Sequence, residues 1–293
     1  MLVEEVLEKC DALKRASLWT PEPAIRPRAW LDNFDASDKG AAAVLLDGFT
    51  FYNARSTDSL LLSAYHSLGD AMPKGPAAPD RATLLASLET AVFTPVRGED
   101  PNPTDSGNLL IRKVRQLLGV PEDRIVDEHN ALLAARTGRC VVFVDDFIGS
   151  GDQFLSTWRM APTGTSFEQQ HAANGFIAMY VVLVATSSGM ERIHEEVPRL
   201  AISAAHVLEE RSTLFGLYAA RPEFERVIES LLDKYVPRLT PREDFIAGVP
   251  AALRYGFRQK GLMLAFEHSV PDATLPIFWS PGTENWRPLL ERS

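Results

Sequence analysis

Cys140-Val141-Val142-Phe143-Val144-Asp145-Asp146-Phe147-Ile148-Gly149-Ser150-Gly151 is the stretch on which the fold of this chain turns. Its first half is a run of β-branched and aromatic residues, the pattern of a strand buried on both faces of a parallel sheet. Asp145 and Asp146 come where the apolar run stops. The expected strand therefore ends at Val144 and delivers two carboxylates to the crevice at the carboxyl edge of the sheet, where open α/β sheets bind ligands. Gly149, Ser150 and Gly151 let the backbone turn tightly. Gln153-Phe154-Leu155-Ser156-Thr157-Trp158 then starts a helix whose N-terminus suits an anion. Together these parts make a phosphate cradle with acids beside it, suited to a phosphorylated sugar. The same residues also fit an ordinary strand end with a solvated Asp pair and a glycine turn.

Strands and helices alternate around this stretch. Ala91 to Val96 predicts a first strand, and Ser106-Gly107 leads a helix through Leu109, Leu110, Val114, Leu117 and Leu118. Arg124-Ile125-Val126 predicts a short strand and Ala131 to Ala135 a helix. Ile177 to Ala185 is a second strongly buried strand, Ser188-Gly189 opens a helix through Ile193 and Val197, and Leu200 to Val207 closes the series. The fold class this implies is α/β: an open, mainly parallel sheet with helices on both faces. Residues 91–221 form that core. Residues 1–90 read as a helical N-terminal region, with Leu2, Val6, Leu7, Leu13 and Leu18 on one helix. Trp30, Phe34, Ala41 to Leu46, Phe49, Phe51 and Tyr52 fall on a second helix, and Leu60 to Tyr65 on a third. Residues 222–293 supply a helix over Phe224 to Leu232, a strand over Gly261 to Phe266, and an irregular aromatic tail that completes the same domain.

Composition narrows the function classes. The 293 residues are 45% hydrophobic and 24% charged, long enough for a sizeable core. Thirty basic and 39 acidic side chains leave a formal charge of −9, which disfavours direct, sequence-independent contact with nucleic acid. Cys10 and Cys140 are the only cysteines, too few for a disulfide framework or a zinc site, as befits a reducing cytoplasm. Met1-Leu2-Val3-Glu4-Glu5 lacks the order of a signal peptide, and no apolar run reaches the ~20 residues of a membrane helix. No membrane partner is expected.

The acid-tipped stretch resembles the phosphoribosyl-pyrophosphate loop of the type I phosphoribosyltransferases: four apolar residues, two acids, two variable residues, then a Ser/Thr-Gly turn. Gln153 stands where that family has its last Thr, and Asp152 precedes it. A carboxylate facing a sugar 5′-phosphate repels it, so Asp152 is expected to point away. The chain ends do not resemble the purine-salvage or orotate enzymes. Trp30…Phe34, Ser106-Gly107, the Val144 to Phe154 block, Phe266-Glu267-His268, Leu275 to Trp279 and Trp286 to Leu289 are similar to the phosphoribosyltransferase-like effector domain of bacterial conflict and antiphage clusters, including some retrons. There the Gly-Ser-Gly-Asp-Gln form is expected.

That resemblance implies a phosphoribosyltransferase of the glycosyltransferase class, acting in defence as a regulated toxin. It implies Asp145 and Asp146 on the ribose hydroxyls and Ile148, Gly149, Ser150, Gly151, Asp152 and Gln153 on the phosphate. Mg2+ rides on the pyrophosphate of phosphoribosyl pyrophosphate or a related nucleotide, with no direct protein ligand. Protein partners from the same operon follow, such as a reverse transcriptase or a regulator. Arg97, Ser106 and Gly107 fall where the pyrophosphate-contacting loop belongs, although Ser106 equally suits a helix N-cap. Arg112 and Lys113 read as a solvated face. His268 can orient or protonate a nucleophile, or can be a histidine satisfied by backbone. Thr186-Ser187-Ser188-Gly189 offers hydroxyls to the same edge or a plain helix cap. A catalytically inactive nucleotide sensor or scaffold remains the alternative, because fold does not fix activity.

Overall fold

The computed structural model describes residues 3–71, 73, 78–96, 106–161, 164–240 and 250–292. The chain opens with helices α1 (Val3–Arg15), α2 (Pro27–Leu31) and α3 (Lys39–Asp47), strand β1 (Thr50–Tyr52) and helix α4 (Ala54–His66). After α5 (Arg81–Leu88) come β2 (Val92–Pro95), α6 (Ser106–Leu118), α7 (Glu128–Arg136) and β3 (Val141–Ile148). Next are α8 (Asp152–Arg159), α9 (Phe167–Asn174), β4 (Ala178–Thr186), α10 (Ser187–Glu196) and β5 (Ala201–Leu208). Helices α11 (Leu214–Ala220) and α12 (Pro222–Tyr235), a short helix Pro250–Tyr255, strand β6 (Leu264–Phe266) and a helical turn Pro276–Trp279 complete it.

Two compact units share these elements: 57–208, and a second built from 1–56 together with 209–293. The divisions thus fall at 56/57 and 208/209, whereas the sequence pattern suggests 90 and 221.

In the unit 57–208, β2-β3-β4-β5 lie side by side in that order, all parallel. Val141 and Phe143 of β3 stand beside Ala178 and Tyr180 of β4, and Tyr180 beside Ile202 of β5. This face is covered by α7 to α10, which contribute Leu132, Phe154, Trp158, Phe167 and Ile193 to one core. Phe143 meets the rings of Phe154, Trp158 and Phe167 there. The opposite face carries α4: Ser203 Oγ donates to the Ala64 carbonyl at 2.7 Å, and Tyr65 meets Phe93. Helices therefore cover both faces of a parallel sheet, as the βα alternation predicts. The expected strand at Arg124-Ile125-Val126 is reduced to a 3-10 turn over Glu122–Arg124 and an isolated bridge from Ile125 to Phe93.

The other unit has its own core and a two-stranded parallel pair, β1 with β6. The single helix expected across Trp30 to Tyr52 is instead two helices and a strand. Phe51 and Tyr52 join the ladder with Ala265 and Phe266, and apolar content alone cannot tell a short buried strand from a helix end. Helix α1 buries Val6, Leu7 and Cys10, with Glu4 and Glu5 in its first turn and Lys14 and Arg15 in its last, each complementing the helix dipole. Leu18, expected on that helix face, is 51% exposed, because the chain leaves the helix at Ser17 (φ +56°) and buries Trp19 instead. The aromatic tail does cross this core, through Phe278 and Trp286.

Candidate functional site

The acids lie inside β3, not beyond it. Asp145 stands beside Val182 of β4, and Phe147 and Ile148 continue the ladder with Val184 and Ala185. Ladder hydrogen bonds are made by the backbone, so the strand does not need to stop where apolar side chains do. Both carboxylates are consequently buried, Asp145 at 2% and Asp146 at 7% exposure, which excludes the solvated strand end. Asp145 Oδ1 accepts from the Asp146 N–H at 2.9 Å and Oδ2 from the Tyr180 hydroxyl at 2.9 Å. Burial, then the neighbouring Asp146, holds the Asp145 carboxyl well above the usual carboxylate range. Burial likewise keeps the Tyr180 phenol protonated as the donor, with Asp145 adding to the effect. Tyr180 also stacks on Phe154 at 4.7 Å, linking the acid pair to the first turn of α8. Asp145 is a braced residue, and Asp146 is the less buried of the two.

After Ile148 the chain turns through Gly149, Ser150 and Gly151, and α8 starts at Asp152. Gly151 has φ +82°, a conformation glycine adopts without strain. Helix α10 fastens the turn. Thr186 Oγ1 donates to the Gly149 carbonyl and accepts from the Gly189 N–H, so this hydroxyl is a fastener rather than a ligand group. Arg192 donates to the Ser150 carbonyl at 3.1 Å and pairs with Asp152 at 2.6 Å, while Ser150 Oγ donates to Asp152 Oδ2 at 2.7 Å. The N–H and C=O of a trans peptide point in opposite directions. With the carbonyls of Gly149 and Ser150 turned to α10, the N–H groups of Ser150 and Gly151 face away from it. Two successive amides so oriented make an anion-binding concavity. Asp152 is held to Arg192, and Gln153 is exposed in the first turn of α8.

Arg97 lies outside the described residues. Ser106 is the first residue of α6, and Gly107 packs that helix so closely on β2 that a Cβ would lie 3.0 Å from the Pro95 side chain and the Val96 carbonyl. Lys113 is not part of a solvated face. It is half-buried in an ion pair with Asp58 across α6 and α4, whereas Arg112 is exposed. His268 belongs to the other unit, beside the Phe266 ring. Its neighbour Glu267 binds the Ala54 N–H at 2.7 Å and Thr20 at 3.0 Å, and lines a cleft of about 470 Å³ with Phe51 and Leu290.

Among the described residues no three His, Cys, Asp or Glu side chains gather as a metal site. A magnesium ion carried on substrate pyrophosphate and water would need no such cluster from the protein.

Tyr180 and Arg192 emerge only from the structure. Tyr180 left one signal: a hydroxyl within an otherwise aliphatic buried strand needs a partner. Arg192 left none, being an ordinary residue of an amphipathic helix.

Among solved structures the chain is similar to the AQ2163 protein from Aquifex aeolicus, at 14% identity and TM-score 0.33 over 62% of this chain and 80% of that one. No functionally curated protein gives a significant match. The PRTase-CE family model matches residues 27–292, spanning both the acid-tipped strand and the aromatic tail, and the chain therefore belongs to the PRTase-CE family, a phosphoribosyltransferase-like domain.

Proposed function

We propose that the unit 57–208 binds a ribose 5-phosphate group, with phosphoribosyl pyrophosphate and magnesium as the complete ligand. The observation that carries this is the turn after β3, whose Ser150 and Gly151 amides face away from α10 beside a buried carboxylate pair. In this reading Asp146 accepts from the ribose hydroxyls while Asp145, tied to Tyr180, holds Asp146 in place. Ile148 to Gln153 wrap the phosphate. The start of α6 at Ser106 and Gly107, which follows β2, is the candidate for the pyrophosphate. A magnesium ion held through the pyrophosphate of the substrate, with no direct protein ligand, would supply charge neutralisation there. In the reaction the bond from C1 of ribose to the pyrophosphate oxygen breaks as an acceptor bonds to C1, and pyrophosphate leaves with the electron pair. Such a step asks the protein for positioning and charge neutralisation rather than a nucleophile. The proton of the acceptor passes to solvent water.

The biological setting we propose is an antiphage or conflict effector in the bacterial cytoplasm, working with protein partners from its own operon. Calorimetric titration with phosphoribosyl pyrophosphate and magnesium tests the site. The wild type is expected to bind, and Asp145→Asn/Asp146→Asn to lose at least tenfold in affinity. Equal binding by the two proteins rejects the site.

One observation favours a second reading, a sensor or scaffold without turnover. Both Asp145 oxygens accept bonds from within the protein, one from the Tyr180 hydroxyl and one from the Asp146 amide, so Asp145 is built as a brace rather than as a ligand group. Product formation by the wild type, followed as pyrophosphate release with a panel of bases and nucleosides, separates the two. Tight binding with no release favours the sensor.

A further inference from the structure

The geometry points to Arg192 as the positioning residue that makes the turn after β3 competent for phosphate by cancelling the charge of Asp152. This rests on the ribose 5-phosphate reading of that turn. Asp152 is the first residue of α8 and would otherwise place a carboxylate beside the phosphate, where it repels the ligand. Arg192 meets it at 2.6 Å and also holds the Ser150 carbonyl at 3.1 Å, so a single guanidinium fixes both the charge and the direction of the turn. Ser150 Oγ holds the second carboxylate oxygen at 2.7 Å, which keeps Asp152 on the Arg192 side.

The neighbouring charges are consistent with this assignment. Glu196, four residues on, lies 3.7 Å from Arg192 and is also paired with Arg159 of α8, so Arg192 is not drawn wholly to Glu196. Gly189, Arg192 and Ile193 stand at i, i+3 and i+4 on one face of α10, and each abuts the turn. The bond is built into the docking of α10, and not into a stray surface contact.

Titration with ribose 5-phosphate is the test, on the wild type, Arg192→Gln, Arg192→Lys, Asp152→Asn and Asp152→Asn/Arg192→Gln, each first shown to melt cooperatively. Arg192→Gln is expected to bind about tenfold more weakly at low salt, with the deficit shrinking as salt is added. The double variant should return to within about threefold of wild type, since the repelling charge has gone. Asp152→Asn alone should bind at least as well as wild type. Arg192→Lys keeps the charge and should stay near wild type, even if Arg192→Gln folds poorly. Wild-type affinity in Arg192→Gln overturns the proposal, as does a double variant as weak as Arg192→Gln. A wild type that does not bind ribose 5-phosphate overturns the underlying reading as well, and so separates the two failures.

Discussion

At the scale of single residues, the informative one is Asp145. It is buried, tied to a phenol and an amide, and set beside a second carboxyl, and its ionisation is disfavoured by burial first and by Asp146 next. A carboxyl whose folded value is raised above its unfolded value of about 4 contributes most to stability below that pH. The contribution is lost as pH rises through the folded value. Asn at 145 has the shape of the protonated acid and cannot ionise. Asp145→Asn should therefore raise the melting temperature by a few degrees near pH 7.5, and the gain should fade towards pH 4. Thermal melts across that range check it, and a variant destabilised equally at every pH contradicts a raised Asp145. Asn offers one acceptor oxygen where Asp145 uses two, so either the Tyr180 hydroxyl or the Asp146 amide gives up its bond, and the effect of this substitution on ligand binding combines charge with the brace.

Secondary-structure elements are where legibility in the sequence divides. Strands β3 and β4 could be read because β-branched runs buried on both faces leave little other option. Strand β1 could not: three residues long, it exists through its pairing with β6, and a long-range partner leaves no local mark. The site divides the same way. Its acids and glycine turn are contiguous and were legible. The helix that fastens them lies elsewhere in the chain, Arg192 being 42 residues from the carbonyl it holds. Helix α10 packs on the turn so closely that a Cβ on Gly189 would sit 2.3 Å from the Gly149 carbonyl oxygen and 2.8 Å from Ile148 Cγ2. Both neighbours belong to the strand end and its turn, and the nearer is backbone with little room to yield. Gly189→Ala should cost about 1–3 kcal/mol and weaken ribose 5-phosphate binding together with stability. Gly40→Ala, where an added Cβ meets nothing within 4 Å, is the control and should leave binding unchanged. Urea unfolding and ligand titration on both variants decide it, and a Gly189→Ala protein as stable and as tight-binding as Gly40→Ala would contradict the fit.

On the scale of the whole molecule, the chain ends belong together. The unit of 1–56 and 209–293 is assembled from the two extremes of the sequence, and its core is where they meet. Trp30 is fully buried, donates its indole N–H to the Ile277 carbonyl at 2.8 Å, and stacks on Phe278 at 5.2 Å. Phe34 joins Trp30, Tyr235 and Trp286 in edge-on contacts. Trp30 with Phe34 and Leu275 to Trp279, terminal segments inside the family match, thus contribute packing to this core. Large aromatic truncations in such a core cost roughly 3–5 kcal/mol each. Trp30→Ala and Phe278→Ala remove opposite halves of one stacked pair, so their effects should not add. The double variant should lose less than the sum of the singles by about 0.5–1.5 kcal/mol, the worth of the aromatic pair beyond its buried area. Urea denaturation of the four proteins, followed by tryptophan fluorescence and far-ultraviolet circular dichroism, measures that coupling, and strict additivity would mean that the two ends of the chain do not share a core.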